Sequence, residues 1–185
     1  TDFLGWAIGT DGSRTIVGAC REGSANDPGG AANPHPAAGT AYVYRNVGDT
    51  VVYEDFLKAP NAQGTGPGFP DGDLFGWAVA IDGDVAVASA IFEDSSTVND
   101  PSDNGATDSG AAYVFRRVGT EWLFEQYLKS PYPTVSGFFG CLLRRCLGGL
   151  VVGNLIFWLV GQRGTGCAQG TADGGAQFVH GGLKA

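Results

Sequence analysis

The chain has 185 residues, 43% of them hydrophobic, with 31 glycines and a formal net charge of -8 from 11 basic and 19 acidic side chains. A chain of this length can bury a real core, and its glycines keep no three-residue period, which excludes a collagen-like helix. No lysine or arginine cluster offers a track for a phosphate backbone, so nucleic acid is excluded as a partner, while the acidic balance suits solubility and divalent cations.

Thr1 leads almost at once into structured sequence with no cleavable leader ahead of it, so the chain reads as a mature protein or a fragment. The first predicted strand covers residues 4–10, and the pair Asp11-Gly12 marks a turn into a second at 15–20. A polar and Pro/Gly-rich loop follows from Glu22 to Ala38. Strands at 40–46 and 50–58 then flank Gly48-Asp49, and a Pro/Gly/Asn-rich linker carries the chain past residue 70.

From Asp73 the scheme starts again. Residues 2–60 lie over 73–131 at a constant offset of 71, without a gap and with 21 identities; chance gives about four, at background frequencies of roughly 7%. Such a long period signals one supersecondary unit stacked on its neighbours. In this second unit the run 75–81, the pair Asp82-Gly83 and the run 84–91 predict a tight hairpin of type I′, with both central residues at positive φ. The face carrying Ala86, Ala88 and Ala90 bears only methyl groups, which lets another sheet approach closely. After a polar stretch from Glu93 to Ser109, strands at 110–117 and 122–129 complete four antiparallel strands that grow from small residues to bulky ones, the taper of a propeller blade.

A third, divergent unit begins at Phe139-Gly140 and regains register at an offset of 65, with Gly148 under Gly83 and residues 176–179 under 111–114. Arg144 and Arg145 fall in its apolar first strand, Cys141 stands where Trp77 would be, and no fourth strand follows. The most apolar stretch, 147–161, is about 15 residues, short of the roughly 20 that cross a bilayer; it predicts a buried strand pair and no membrane span. The units are thus 1–72, 73–136 and 137–185 of one repeat domain. The predicted fold is all-β: about three four-stranded antiparallel blades of a propeller type, too few to close a ring of four to eight. Open blade ends invite other copies of the chain or further blades of a longer one.

These motifs resemble the FG-GAP repeats of integrin-α-like β-propellers, most of all the bacterial and algal kind. Phe75-Gly76 stands for the Phe-Gly pair, and Gly18-Ala19-Cys20 and Ser89-Ala90-Ile91 stand for Gly-Ala-Pro. The resemblance implies extracellular or cell-surface adhesion and ligand binding, often with calcium in the blade loops. Here the place of the integrin-type calcium loop holds only the turns at Asp11-Gly12-Ser13 and Asp82-Gly83-Asp84, so no calcium site carries over; the proline of Gly-Ala-Pro is also missing, a departure that bears on local backbone geometry.

A possible calcium site lies elsewhere, in the loop holding Glu93, Asp94, Asn99, Asp100, Asp103, Asn104 and Asp108, because calcium takes six to eight oxygen ligands from such side chains. Its spacing is not that of an EF-hand, the matching loop of the first unit keeps only Glu22 and Asp27, and a solvated Asp/Asn/Ser loop is the plain alternative. Asp71-Gly72-Asp73 reads as an inter-blade turn. Trp6 and Trp77, each beside a glycine, read as packing between blades ahead of sugar platforms.

Catalytic signals are few. His35 and His180 have no evident serine or cysteine partner, no Gly-x-Ser-x-Gly elbow occurs, and 64–68 lacks the lysine and the helix of a phosphate loop. Cys20, Cys141, Cys146 and Cys167 show no zinc spacing, and both disulfides and buried free thiols stay open. The expected function is a non-enzymatic extracellular binding, adhesion or structural module for a protein or glycan ligand. A polysaccharide-acting enzyme on the same scaffold is the alternative.

Overall fold

The computed structural model describes residues 2–23, 35–64, 72–152 and 155–160. Two four-stranded antiparallel sheets carry the repeat. In the first, β1 (Leu4–Thr10), β2 (Arg14–Ala19), β3 (Thr40–Val47) and β4 (Thr50–Leu57) lie in sequence order; in the second, β5 (Phe75–Asp82), β6 (Val85–Ala90), β7 (Ala111–Val118) and β8 (Glu121–Leu128) do the same. Each of these eight strands lies within one residue of its predicted bounds. The methyl-rich β6 is buried along its whole length, while β8 is largely exposed, so small residues are inside and bulky ones outside.

Both Asp-Gly tips differ from the expected turn. Asp82 pairs with Val85, which leaves Gly83-Asp84 as the two-residue loop, and only Gly83 takes a positive φ, 58°. That is the type II′ pattern, with glycine at the first central position, in place of type I′. The tips at Gly48 and Gly119 follow it as well. The Asp11-Gly12 tip is wider: the Asp11 carboxylate accepts from the Ser13 and Arg14 N–H groups at 2.7 Å, and its other oxygen accepts from the Gly83 N–H of the second sheet at 2.7 Å.

A third region holds β9 (Leu142–Val152) antiparallel to β10 (Leu155–Val160), the strand pair predicted from the apolar run. Its register jumps from Ile156 opposite Val151 to Phe157 opposite Arg145, so Gly148 lies within a bulged β9 and not in a turn. The match of 176–179 to 111–114 lies outside the described residues, as do Asp27, Asp71, His180 and Cys167. Cys20 is a buried free thiol, and Cys141 is buried as well.

The two large sheets pack face to face, and a repeated backbone seam sets their spacing. Leu74 and Phe75 donate their N–H groups to the carbonyls of Ala37 and Ala38, at 3.0 and 2.9 Å; Phe138 and Phe139 donate to Asp108 and Ser109, at 3.0 and 2.9 Å. The backbone twists alike at each entry, with φ of 55° at Leu74 and 47° at Phe138, then 84° at both Gly76 and Gly140. Glycine is required for space as well: a Cβ on Gly39 would lie 2.0 Å from the Phe75 carbonyl oxygen, and one on Gly76 would lie 2.4 Å from that of Thr40. Above the seam, Phe75, Val79, Tyr113 and Phe115 bury against Ile16, Ala41 and Val43 in one core, and Trp6 meets Trp77 with ring centroids 4.6 Å apart.

These contacts separate two glycines that sequence alone ranks together. Gly39 and Gly48 both have positive φ, but nothing lies within 4 Å of a Cβ on Gly48. Gly48→Ala is expected to cost about 1 kcal/mol, the left-handed penalty alone, and Gly39→Ala about 3 kcal/mol, because the sheets must also move apart. Urea melts of the two variants check the difference.

Candidate functional site

The acidic loop leaves β6 at Ile91 and enters β7 after Gly110, at the corner on which Phe139 lands. Its base is built on Glu93, only 1% exposed. The Glu93 carbonyl accepts the Gly110 N–H at 2.8 Å, while its carboxylate pairs with the fully buried Lys129 ammonium and accepts the Tyr127 hydroxyl at 2.9 Å. The first unit repeats the device: the Glu22 carbonyl accepts the Gly39 N–H at 2.7 Å, and its carboxylate meets Lys58 at 3.0 Å and the Thr40 hydroxyl. Both pairs span 36 residues. Burial pulls the Lys129 and Lys58 ammonium groups down and pushes the Glu93 carboxyl up, and each ion pair opposes that trend.

The remaining acids of the loop serve the loop itself. Asp94 is buried, and its carboxylate accepts the Asp108 N–H at 2.7 Å. Asp103 accepts the Ser96 N–H at 2.7 Å, and Asp100 the Ser102 N–H at 2.9 Å; these bonds, with those of the same serine hydroxyls, hold both carboxyls below their ordinary range. Asn99 and Asn104 are exposed, and Asp108 is half-buried at a φ of 56°. Ser95 and Ser109 tie the two ends together, the Ser109 hydroxyl reaching the Ser95 carbonyl at 2.8 Å. Among the described residues no three histidine, cysteine or acidic side chains converge on a point that a metal ion could occupy. In this arrangement Glu93, Asp94, Asp100 and Asp103 act as acceptors for lysine, tyrosine, serine and backbone groups.

Asp73 is the residue that the turn reading passed over. It is 2% exposed, and its carboxylate accepts the Gln63 N–H at 2.7 Å. Burial, reinforced by the negative charges of Glu93 and Asp94, pushes its carboxyl up to about 8, against the opposing Gln63 bond and Lys129 charge. Lys129 thus lies among Asp73, Glu93, Asp94 and Asp103 and is ion-paired with Glu93.

The family model described as FG-GAP repeat matches residues 69–115. The chain carries an FG-GAP repeat. The matched span covers the seam entry at Leu74, β5, β6, the acidic corner and the first part of β7. The Phe-Gly pair of the repeat is thereby given a physical role, since Phe75 fills the core between the sheets and Gly76 lets the backbones meet. No curated protein matches the chain. The ion pair behind the corner was legible only in retrospect: Glu22/Glu93 and Lys58/Lys129 are identical pairs at one separation, a signal that the 71-residue internal repeat shows without revealing that the partners touch.

Asp73 sets a pH dependence. A carboxyl raised in the folded state holds its proton more tightly there, so its contribution to stability is full below the unfolded value near 3.8 and is lost as pH rises to about 8. Stability should therefore fall from pH 5 to pH 8.5, and Asp73→Asn, which keeps an acceptor for Gln63, should flatten the slope. Thermal melts across this range check it; an unchanged slope in the variant would place the titration elsewhere.

Proposed function

We propose that the chain is a non-enzymatic binding or structural module of the extracellular or cell-surface kind, whose FG-GAP blades hold the corner loop at residues 91–110 toward a protein or glycan. The observation that carries this reading is the second corner. The seam, the buried Glu–Lys pair and the Gly39/Gly110 corner recur in both units, and at the second corner they carry an exposed, internally bonded loop tip at residues 96–104. A braced loop on a rigid base is the usual form of a recognition element.

Chemistry of the enzyme alternative finds no support in the same residues. Asp73 retains a proton near neutral pH, as a general acid must, but it is buried and bonded to the Gln63 backbone, out of reach of a sugar. The loop is braced by hydrogen bonds, so ligand binding is independent of calcium in this reading.

Screening the chain on a glycan array and against a panel of secreted proteins, with a hydrolysis assay on every glycan hit, tests the proposal. Binding without turnover is expected, retained in EGTA, and lowered at least tenfold when residues 96–104 are replaced by a short Gly/Ser bridge that leaves Glu93, Ser95 and Ser109 in place. Turnover of a bound glycan would overturn it.

A further inference from the structure

The bonds within the corner loop give it its shape. Ser96 and Ser102 close the tip on Asp103 and Asp100, and the Ala106 and Ser109 N–H groups anchor the return, donating to the Asp94 and Ala106 carbonyls at 2.7 and 3.1 Å. One further bond reaches the tip from outside the loop. The Asn61 Nδ2 donates to the Pro101 carbonyl at 2.8 Å, across 40 residues of sequence, while the Asn61 Oδ1 accepts the hydroxyl of the fully buried Tyr113 at 2.8 Å. These two partners fix the amide's orientation. A carbonyl oxygen only accepts, so the nitrogen faces Pro101, and the tyrosine hydroxyl then donates to the remaining oxygen.

The backbone that carries Asn61 is itself pinned. It is a strap at residues 59–64, leaving the first sheet after Leu57, in which Asn61 is half-buried. Before Asn61, Lys58 is paired with Glu22, and the buried Ala59 accepts the Ala62 N–H at 3.1 Å. After it, Gln63 is held twice by Asp73: its N–H donates to the carboxylate at 2.7 Å, and its carbonyl accepts the Asp73 N–H at 3.0 Å. A Cβ on Gly64 would lie 2.3 Å from the His35 carbonyl carbon, so the strap also lies against the loop of the first unit. Asn61 falls outside residues 69–115, the segment matching the FG-GAP repeat, and its counterpart 71 positions on is Tyr132, which is 76% exposed. The amide tether thus belongs to the junction of the first and second units.

We propose that Asn61 is a positioning residue for the corner loop: it fixes the tip at residues 96–104 to the strap and to Tyr113, so that the first unit helps to set the surface that the second unit presents. The consequence for recognition rests on the reading of this loop as the binding element. A loop ordered before contact avoids the cost of ordering it on binding, which is where preorganisation gains affinity. Without the Asn61 donor the tip keeps its internal bonds but swings on its base as a body.

Backbone amide order parameters from NMR relaxation of the full chain, read at residues 97–100 and 102–104 at about pH 7.5, test the proposal. The wild-type tip is expected near the rigid value of about 0.85, and Asn61→Asp and Asn61→Ala should bring it below about 0.6. Asn61→Asp is the sharper variant. Its carboxylate still accepts from Tyr113 but has no N–H for Pro101, so a role confined to satisfying the tyrosine would leave the tip unmoved. The β7 amides at 111–118 should keep their wild-type values in both variants, which separates a freed tip from a loosened blade. Wild-type tip amides already below about 0.6 overturn the proposal, as do unchanged tip values in Asn61→Asp. No ligand enters this readout, so the tether can fail while recognition by the loop stands, and recognition can fail with the tether intact.

Discussion

The structure depends on a buried glutamate that acts through both ends of its residue. Glu22 and Glu93 each hold a corner glycine by a backbone carbonyl and a lysine of the outermost strand by a carboxylate. One residue thereby ties the exit of the second strand, the entry of the third and the end of the fourth. Such a pair is weak evidence for net stability, since desolvation offsets its attraction, but losing one partner strands the other charge at a cost of about 3–5 kcal/mol. Its consequence here is geometric: the glycine it fixes is the surface on which the next sheet's Phe-Gly lands.

Close approach explains the glycine-rich composition better than flexibility does. At Gly39, Gly76 and Gly110 the neighbouring backbone occupies the space of a Cβ, and each has positive φ besides. Phe75 then fills the core between the sheets, with Tyr113 and Phe115 meeting it edge-on at 5.5 and 6.0 Å. Blade, seam and core are one arrangement, and residues 69–115, the segment matching the FG-GAP repeat, contain a complete seam entry and the corner that receives the next one.

Much of this fold was legible in the sequence, because strand alternation, glycine punctuation and the 71-residue repeat are local or periodic signals. What they could not show was contact at a distance. Asp82-Gly83 has the residues of a type I′ turn, yet pairing of Asp82 with Val85 shifted the turn by one position. The acids of the 93–108 loop read as possible cation ligands because composition counts carboxylates without showing where they point. In the fold Asp100 and Asp103 turn to Ser102 and Ser96, while Glu93 turns inward to Lys129. Asp73 carried no signal of burial at all, since its neighbours Asp71 and Gly72 have the composition of a solvated turn. In the third unit Gly148 matched a turn glycine by register, but the pairing of β9 with β10 places it inside a bulge.

The claim that the glutamate-held corner carries the seam is tested most directly by native-state amide hydrogen exchange at Leu74, Phe75, Phe138 and Phe139, in the wild type and in Glu22→Gln. The account predicts that all four amides of the wild type exchange only by global unfolding. In the variant Leu74 and Phe75 should lose at least tenfold in protection, with much smaller changes at Phe138 and Phe139, whose corner is held by Glu93. Equal losses at both seams, or none at Leu74 and Phe75, would contradict it.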